Sequence, residues 1–136
     1  MKHMIKKNRI FTSMIVLALC FCALTTTVSH ASTIYDINED EVDETKVLSA
    51  YHYTYYDCTP YLGNDEPDLY LRLYNYDDAN IEVMFADETA NTILDVQETT
   101  DSRPVFYWEE LNENHVYRIY VTNRSDYSAE VRVRIF

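Results

Sequence analysis

Residues 111–136 read LNENHVYRIYVTNRSDYSAEVRVRIF, and this stretch decides the fold class. Two alternating runs flank a polar turn. Successive side chains on a strand face opposite sides. Tyr117, Ile119 and Val121 therefore share one face, and Arg118 and Tyr120 share the other. Val131, Val133 and Ile135 likewise lie opposite Arg132 and Arg134. Apolar-in, polar-out alternation marks an antiparallel sheet with one wet face. Between the runs stand Asn123, Arg124, Ser125 and Asp126. Asn and Asp tolerate left-handed backbone and bond back to their own main chain. The stretch predicts a terminal β-hairpin.

Upstream, the same period recurs. Tyr51 to Tyr56 is rich in aromatic residues that suit a pleated surface. From Asp68 to Tyr76 the pattern is clearest: Leu69, Leu71 and Leu73 face a core, while Tyr70, Arg72, Tyr74 and Tyr76 face away. Ile81, Val83 and Phe85 point inward on the next run. A shorter strand from Thr92 to Gln97 carries Ile93, Leu94 and Val96, and Pro104 opens another through Trp108. Proline is tolerated at strand starts. About seven strands at short spacing, with no helical period between them, predict an all-β antiparallel sandwich, immunoglobulin-like or jelly-roll-like. With a single glycine in the chain, the reversals rely on Asn and Asp, in loops of three or more residues.

Leu111 precedes Tyr117 by six residues across a polar loop. This resembles the tyrosine corner of fibronectin-type and immunoglobulin-like sandwiches, in which a Tyr hydroxyl bonds back to upstream backbone. The spacing also resembles the closing strands of the bacterial pre-peptidase C-terminal domain, a small secreted β-sandwich, over about residues 68 to 136. The sequence departs from that pattern in the loop, where Asn112, Glu113 and Asn114 replace the usual glycine or proline. A plain hairpin without a corner is the alternative. The resemblance implies a structural pairing of Leu111 with Tyr117.

The first 31 residues form a separate unit. Lys2, Lys6, Lys7 and Arg9 precede a mostly apolar run from Ile10 to Leu24, and Ser29 and Ala31 are small residues at the cleavage positions. This is the three-part pattern of a secretory signal peptide, of bacterial character. The apolar run is short of the ~20 residues that a spanning helix needs. Four of the eleven basic residues lie in this segment and all 23 acids lie after it. Residues 32–136 thus hold seven cations against 23 acids, a net charge of −16. That charge disfavours nucleic acid and, after cleavage, an anionic membrane, and it points to neutral, basic or cationic partners. Residues 32–46 concentrate Asp36, Glu39, Asp40, Glu41, Asp43 and Glu44. So acidic a block is expected to be a flexible segment, with an edge strand at Thr33 to Ile37 as the alternative, and 47–136 to be the sandwich domain.

No reaction is legible. Cys58 with His52 or His115 makes a bare Cys-His candidate with no supporting motif. Glu109 and Glu110 are adjacent, so one straight strand turns them to opposite faces, away from a shared cleft. The chain is read as no enzyme, with no cofactor. Oxygen ligands suited to Ca²⁺ cluster weakly at Asp65 and Asp68 and at Asp77 and Asp78, without a calcium-loop motif.

The positive signal is aromatic. Thirteen tyrosines are present, and Tyr70, Tyr74, Tyr76 and Tyr120 fall on the outward phase of strands. Tyrosine is an amphipathic, rotamer-poor contact residue. These four are the candidate ligand-binding face of a secreted, extracellular, non-catalytic module for a protein or carbohydrate at the cell surface. A calcium-dependent or catalytic exoprotein is the alternative, and a secreted inhibitor or immunity-type protein is a third. N-terminal sequencing of the exported protein is expected to begin at Ser32; export with Met1 retained would contradict the cleavage site.

Overall fold

The strand pattern resolves into two facing sheets in the computed structural model, which describes residues 33–63 and 66–136. The segment 1–31, read as a signal peptide, and Asp65 lie outside the described residues. Nine strands are present among the described residues: β1 (Ile34–Asp36), β2 (Val42–Leu48), β3 (Tyr53–Thr59), β4 (Leu69–Asn75), β5 (Ile81–Asp87), β6 (Thr92–Thr99), β7 (Val105–Trp108), β8 (Tyr117–Asn123) and β9 (Ala129–Ile135). A five-stranded sheet has the order β1-β3-β8-β5-β6, and a four-stranded sheet the order β2-β9-β4-β7. Neighbours are antiparallel except β1 and β3, which run parallel. No helix occurs among the described residues, so the fold is an all-β sandwich.

The core fills the space between the inner faces. Leu69, Leu71, Leu73, Val131, Val133 and Ile135 from the four-stranded sheet are fully buried, as are Ile81, Ile119 and Val121 from the other. Phe85, Tyr117 and Trp108 stack at one side of the core, with Phe85 to Trp108 at 4.1 Å and Phe85 to Tyr117 at 5.3 Å between centroids. Such pairs contribute roughly 0.5–1.5 kcal/mol each beyond area burial.

The expected terminal hairpin is not formed. β8 pairs with β3 and β5, and β9 pairs with β2 and β4, so the two runs belong to opposite sheets. The chain between them is an arch across the core. Alternation specifies which side chains are buried, and a hairpin and an arch bury the same ones. Asn123 holds the arch. Its side-chain amide, fully buried, donates to the carbonyls of Tyr127 at 2.6 Å and Leu48 at 3.1 Å, and its Oδ1 accepts from the Ser125 N–H at 2.9 Å. These bonds serve backbone groups that no ladder reaches.

The acidic segment is not a flexible spacer either. It forms β1 and β2, and β2 pairs with β9 along its whole length. Val42 and Leu48 enter the core. On the outer face Asp43 accepts two bonds from Arg132, both at 2.7 Å, and Glu41 accepts from Arg134 at 3.0 Å. Opposite charges diagonal to one another on neighbouring strands turn a self-repelling block into a strand.

β6 is an edge strand whose apolar side chains lie open to solvent. Ile93, Leu94 and Val96 are 61%, 49% and 51% exposed, while Asp95, Gln97 and Thr99 sit across from the core residues Phe85, Val83 and Ile81. A register shift between Phe85 and Ala86 marks a bulge here. Asp95 accepts from the Trp108 indole N–H at 3.1 Å, tying the two sheet edges together. An inward charge on an edge strand also discourages edge-to-edge pairing.

The loop before β8 has the geometry of a tyrosine corner. The Tyr117 hydroxyl accepts from the Asn112 N–H at 2.7 Å, and Leu111 packs against the core. Elsewhere Asp78 and Asn91 take positive φ in turns, as Asn and Asp do readily, and so do Tyr51 and Glu110. Tyr117→Phe keeps the ring and removes only the acceptor, at a cost of about 1–3 kcal/mol. The melting temperature is expected to fall by roughly 4–8 °C per kcal/mol. Tyr120→Phe, on the wet face, is expected to leave it almost unchanged. Equal melting temperatures for Tyr117→Phe and wild type would show that the bond carries no stability.

Candidate functional site

The two sheets separate the four tyrosines read as one binding face. Tyr70 and Tyr74 lie on the outer face of the four-stranded sheet through β4, and Tyr76 follows directly after it. Tyr120 lies on β8, on the outer face of the other sheet. A sandwich has two outward directions, and strand alternation does not distinguish them. The single face Tyr70, Tyr74, Tyr76 and Tyr120 is therefore replaced by two faces on opposite sides of the core.

The face around Tyr70 is built in rows by the strand register. Phe136 pairs with Tyr70 through main-chain bonds of 2.9 and 3.1 Å, and Tyr70 stands opposite Tyr107. Their rings form a ladder across three strands, 5.6 Å from Phe136 to Tyr70 and 4.3 Å from Tyr70 to Tyr107. Tyr107, on edge strand β7, ends the ladder and is 44% exposed. The next row places Asp43, Arg134, Arg72 and Val105 side by side, and the third places Thr45, Arg132 and Tyr74. Arg132 and Arg103 both approach the Tyr74 ring, with Cζ at 5.6 and 6.0 Å from its centroid. Hydrogen bonds from the guanidinium groups of Arg72 and Arg134 hold the Tyr74 phenol below its usual pKa. The arginines were legible as outward-facing in the sequence. Their assembly with Tyr107 and Phe136 was not, because it depends on register between distant strands.

On the opposite face, Tyr53, Tyr55 and Tyr120 cluster at 5.8–5.9 Å between rings. Arg118 donates to both oxygens of the buried Asp57 at 2.6 and 3.0 Å, which raises the guanidinium pKa, and its Cζ sits 4.6 Å from the Tyr55 ring centroid. Tyr120, Met84 and Ile93 line a depression beside this cluster.

The metal candidates are not brought together. Asp68 precedes β4, while Asp77 and Asp78 follow its end, so the seven residues of the strand separate them by roughly 20 Å. Asp77 accepts from the Glu130 N–H at 2.7 Å, and Asp78 adopts φ 52° in the turn. Among the described residues no three acid, His or Cys side chains are grouped to hold an ion. The Cys-His candidates do not converge either. His52 bonds to the Ala50 carbonyl at 2.9 Å, and His115 to Asp87 at 2.7 Å. Cys58 is fully buried, and desolvation, with the nearby Asp57 charge, pushes its thiol up to about 12.

No protein-family model matches this chain, and no curated protein matches it. Solved structures do. The pre-peptidase C-terminal domain of a collagenase from Bacillus anthracis aligns over 77% of this chain and 94% of its own, with a TM-score of 0.59 and 7% identity. The Yersinia pseudotuberculosis-derived mitogen aligns over 71% of this chain and 84% of its own, with a TM-score of 0.55 and 9% identity. At these identities the likeness is one of fold. The chain resembles the pre-peptidase C-terminal sandwich, as its closing strands suggested.

A buried thiol with a pKa near 12 is not a working nucleophile at neutral pH. At pH 8, Cys58 is expected to resist alkylation in the folded protein and to react fully in denaturant. Labelling of the native protein at the rate of a free peptide thiol would contradict this.

Proposed function

We propose that this chain is a secreted, non-catalytic β-sandwich module that binds a glycan at the cell surface through the outer face of the four-stranded sheet. The observation that carries the reading is the ladder of Phe136, Tyr70 and Tyr107. Rings stacked on one another across strands are held upright by their neighbours, so little side-chain freedom is lost on binding. The ladder ends at an exposed ring on an edge strand. Aromatic surface with a polar rim suits a ligand that is apolar on its ring faces and polar at its edges, as sugars are. The burial of Cys58, and the bonds of both imidazoles to other groups, support a non-catalytic role.

A protein partner is the second reading. It is favoured by the other outer face, where Tyr53, Ile93 and Val96 are 60%, 61% and 51% exposed. Aromatic and aliphatic residues gathered on one face are typical of protein contacts. The inhibitor or immunity-type alternative would use this face.

Titration of cell-wall glycans into the exported protein tests the choice. Binding is expected, unaffected by EDTA, and weakened at least tenfold by Tyr107→Ala. Tyr53→Ala, on the other face, is expected to leave it intact. Loss of binding in EDTA would favour the calcium-dependent alternative. No glycan binding, together with capture of one culture protein that Tyr53→Ala abolishes, would favour the protein reading.

A further inference from the structure

We propose that the ligand of this face carries isolated carboxylates, and that Arg72 and Arg103, flanking Tyr74, form the subsite that receives them. The inference rests on the glycan reading above and narrows it to acidic sugars of the uronate or sialate type.

Seven cations face 23 acids in residues 32–136, so a cation without a carboxylate is unexpected. Five of the seven have one: Lys46 with Glu44, Arg118 with Asp57 and Glu88, Arg124 with Glu82, Arg132 with Asp43, and Arg134 with Glu41 and Asp43. Among the described residues, Arg72 and Arg103 have no carboxylate within ion-pair distance. Both stand beside the same tyrosine.

The register adds a second reason. Arg72 lies directly opposite Arg134 in the ladder between β4 and β9. Like charges placed so are destabilising. Glu41 and Asp43 neutralise Arg134 from the β2 side, and nothing described does so for Arg72 on the β7 side, where its neighbour is Val105. Hydrogen bonds from the Arg72 and Arg134 guanidinium groups lower the pKa of the Tyr74 phenol between them, in a chain whose overall charge is strongly negative. A guanidinium is a planar fork that matches a carboxylate with two parallel bonds.

The overall charge selects the kind of anion. At physiological salt, charges beyond about 8 Å are screened, so a single carboxylate at Arg72 feels the local guanidinium groups. A densely charged polymer, such as nucleic acid or a heavily sulfated glycan, must also approach Asp43, Glu41 and the rest of the −16 surface. Along β4, Tyr70, Arg72 and Tyr74 recur every second residue, about 6.6 Å apart. Ring, cation and ring thus alternate on one line, matching a ligand whose sugar faces and carboxylates alternate.

The test uses the exported protein and a panel of uronate and sialate oligosaccharides, each beside its methyl ester, in which only the charge is removed. At least one acid is expected to bind tenfold or more tightly than its ester, and raising NaCl from 50 to 500 mM is expected to erase that preference. Arg72→Gln with Arg103→Gln should bring acid and ester to equal affinity while leaving ester binding unchanged and without lowering the melting temperature. Equal affinity of acid and ester in the wild type would overturn the carboxylate subsite and leave the glycan reading standing. A preference that survives the double substitution would also overturn it. Binding of no cell-wall, uronate or sialate glycan would overturn both.

Discussion

The structure depends on one crossing. Two consecutive strands, β8 and β9, lie in opposite sheets, and each occupies an interior position of its own sheet. Tyr117, Ile119 and Val121 thereby face Val131, Val133 and Ile135 across the core. The connection is short and must turn through the thickness of the sandwich, where its backbone groups find no ladder partner. Asn123 supplies those partners. Through the Leu48 and Ser49 carbonyls it also reaches the connection between β2 and β3, so two crossings between the sheets share one buried amide. Breaking a network of this kind leaves several backbone groups unsatisfied at once.

The crossing distributes charge as well as apolar surface. By carrying β9 into the four-stranded sheet, it brings Arg132 and Arg134 between the acidic β2 and the tyrosine-bearing β4. On one flank they are neutralised by Glu41 and Asp43. On the other they meet Arg72 and Tyr74. The whole surface repels anions, while one face gathers four arginines among aromatic rings. Net charge is a sum over the chain, whereas the potential at one face is set by the charges within a few ångströms.

Most of the strands, and the centre of the core that β4, β5, β8 and β9 supply, were legible in the sequence. Leu69, Leu71 and Leu73, and Val131, Val133 and Ile135, are fully buried as their spacing implies. The likeness to the pre-peptidase C-terminal sandwich was legible too, from Leu111 to Tyr117 and the closing strands. β6 was recognised as a strand, but the exposure of Ile93 and Val96 was not legible, because it depends on β6 lying at the edge of its sheet. β2 was missed because charge density was weighed without the arginines that lie across from it, nearly 90 residues away in sequence.

The sequence by itself determined which side of the alternating strands β4, β5, β8 and β9 is wet, since a period of two follows from backbone geometry alone. It also determined the excess of acids and the abundance of tyrosine. The tertiary structure decided which sheet each strand joins, and therefore which wet sides coincide. Tyr70 on β4, Tyr107 on β7 and Phe136 just past the end of β9 form one ladder, while Tyr120 has the same phase and faces the other way. The physical reason is that alternation is local, fixed within a few residues, whereas sheet membership is a choice between pairings of equal apolar burial. That choice is settled by contacts between distant segments, such as Asn123 with Leu48 and Asp43 with Arg132.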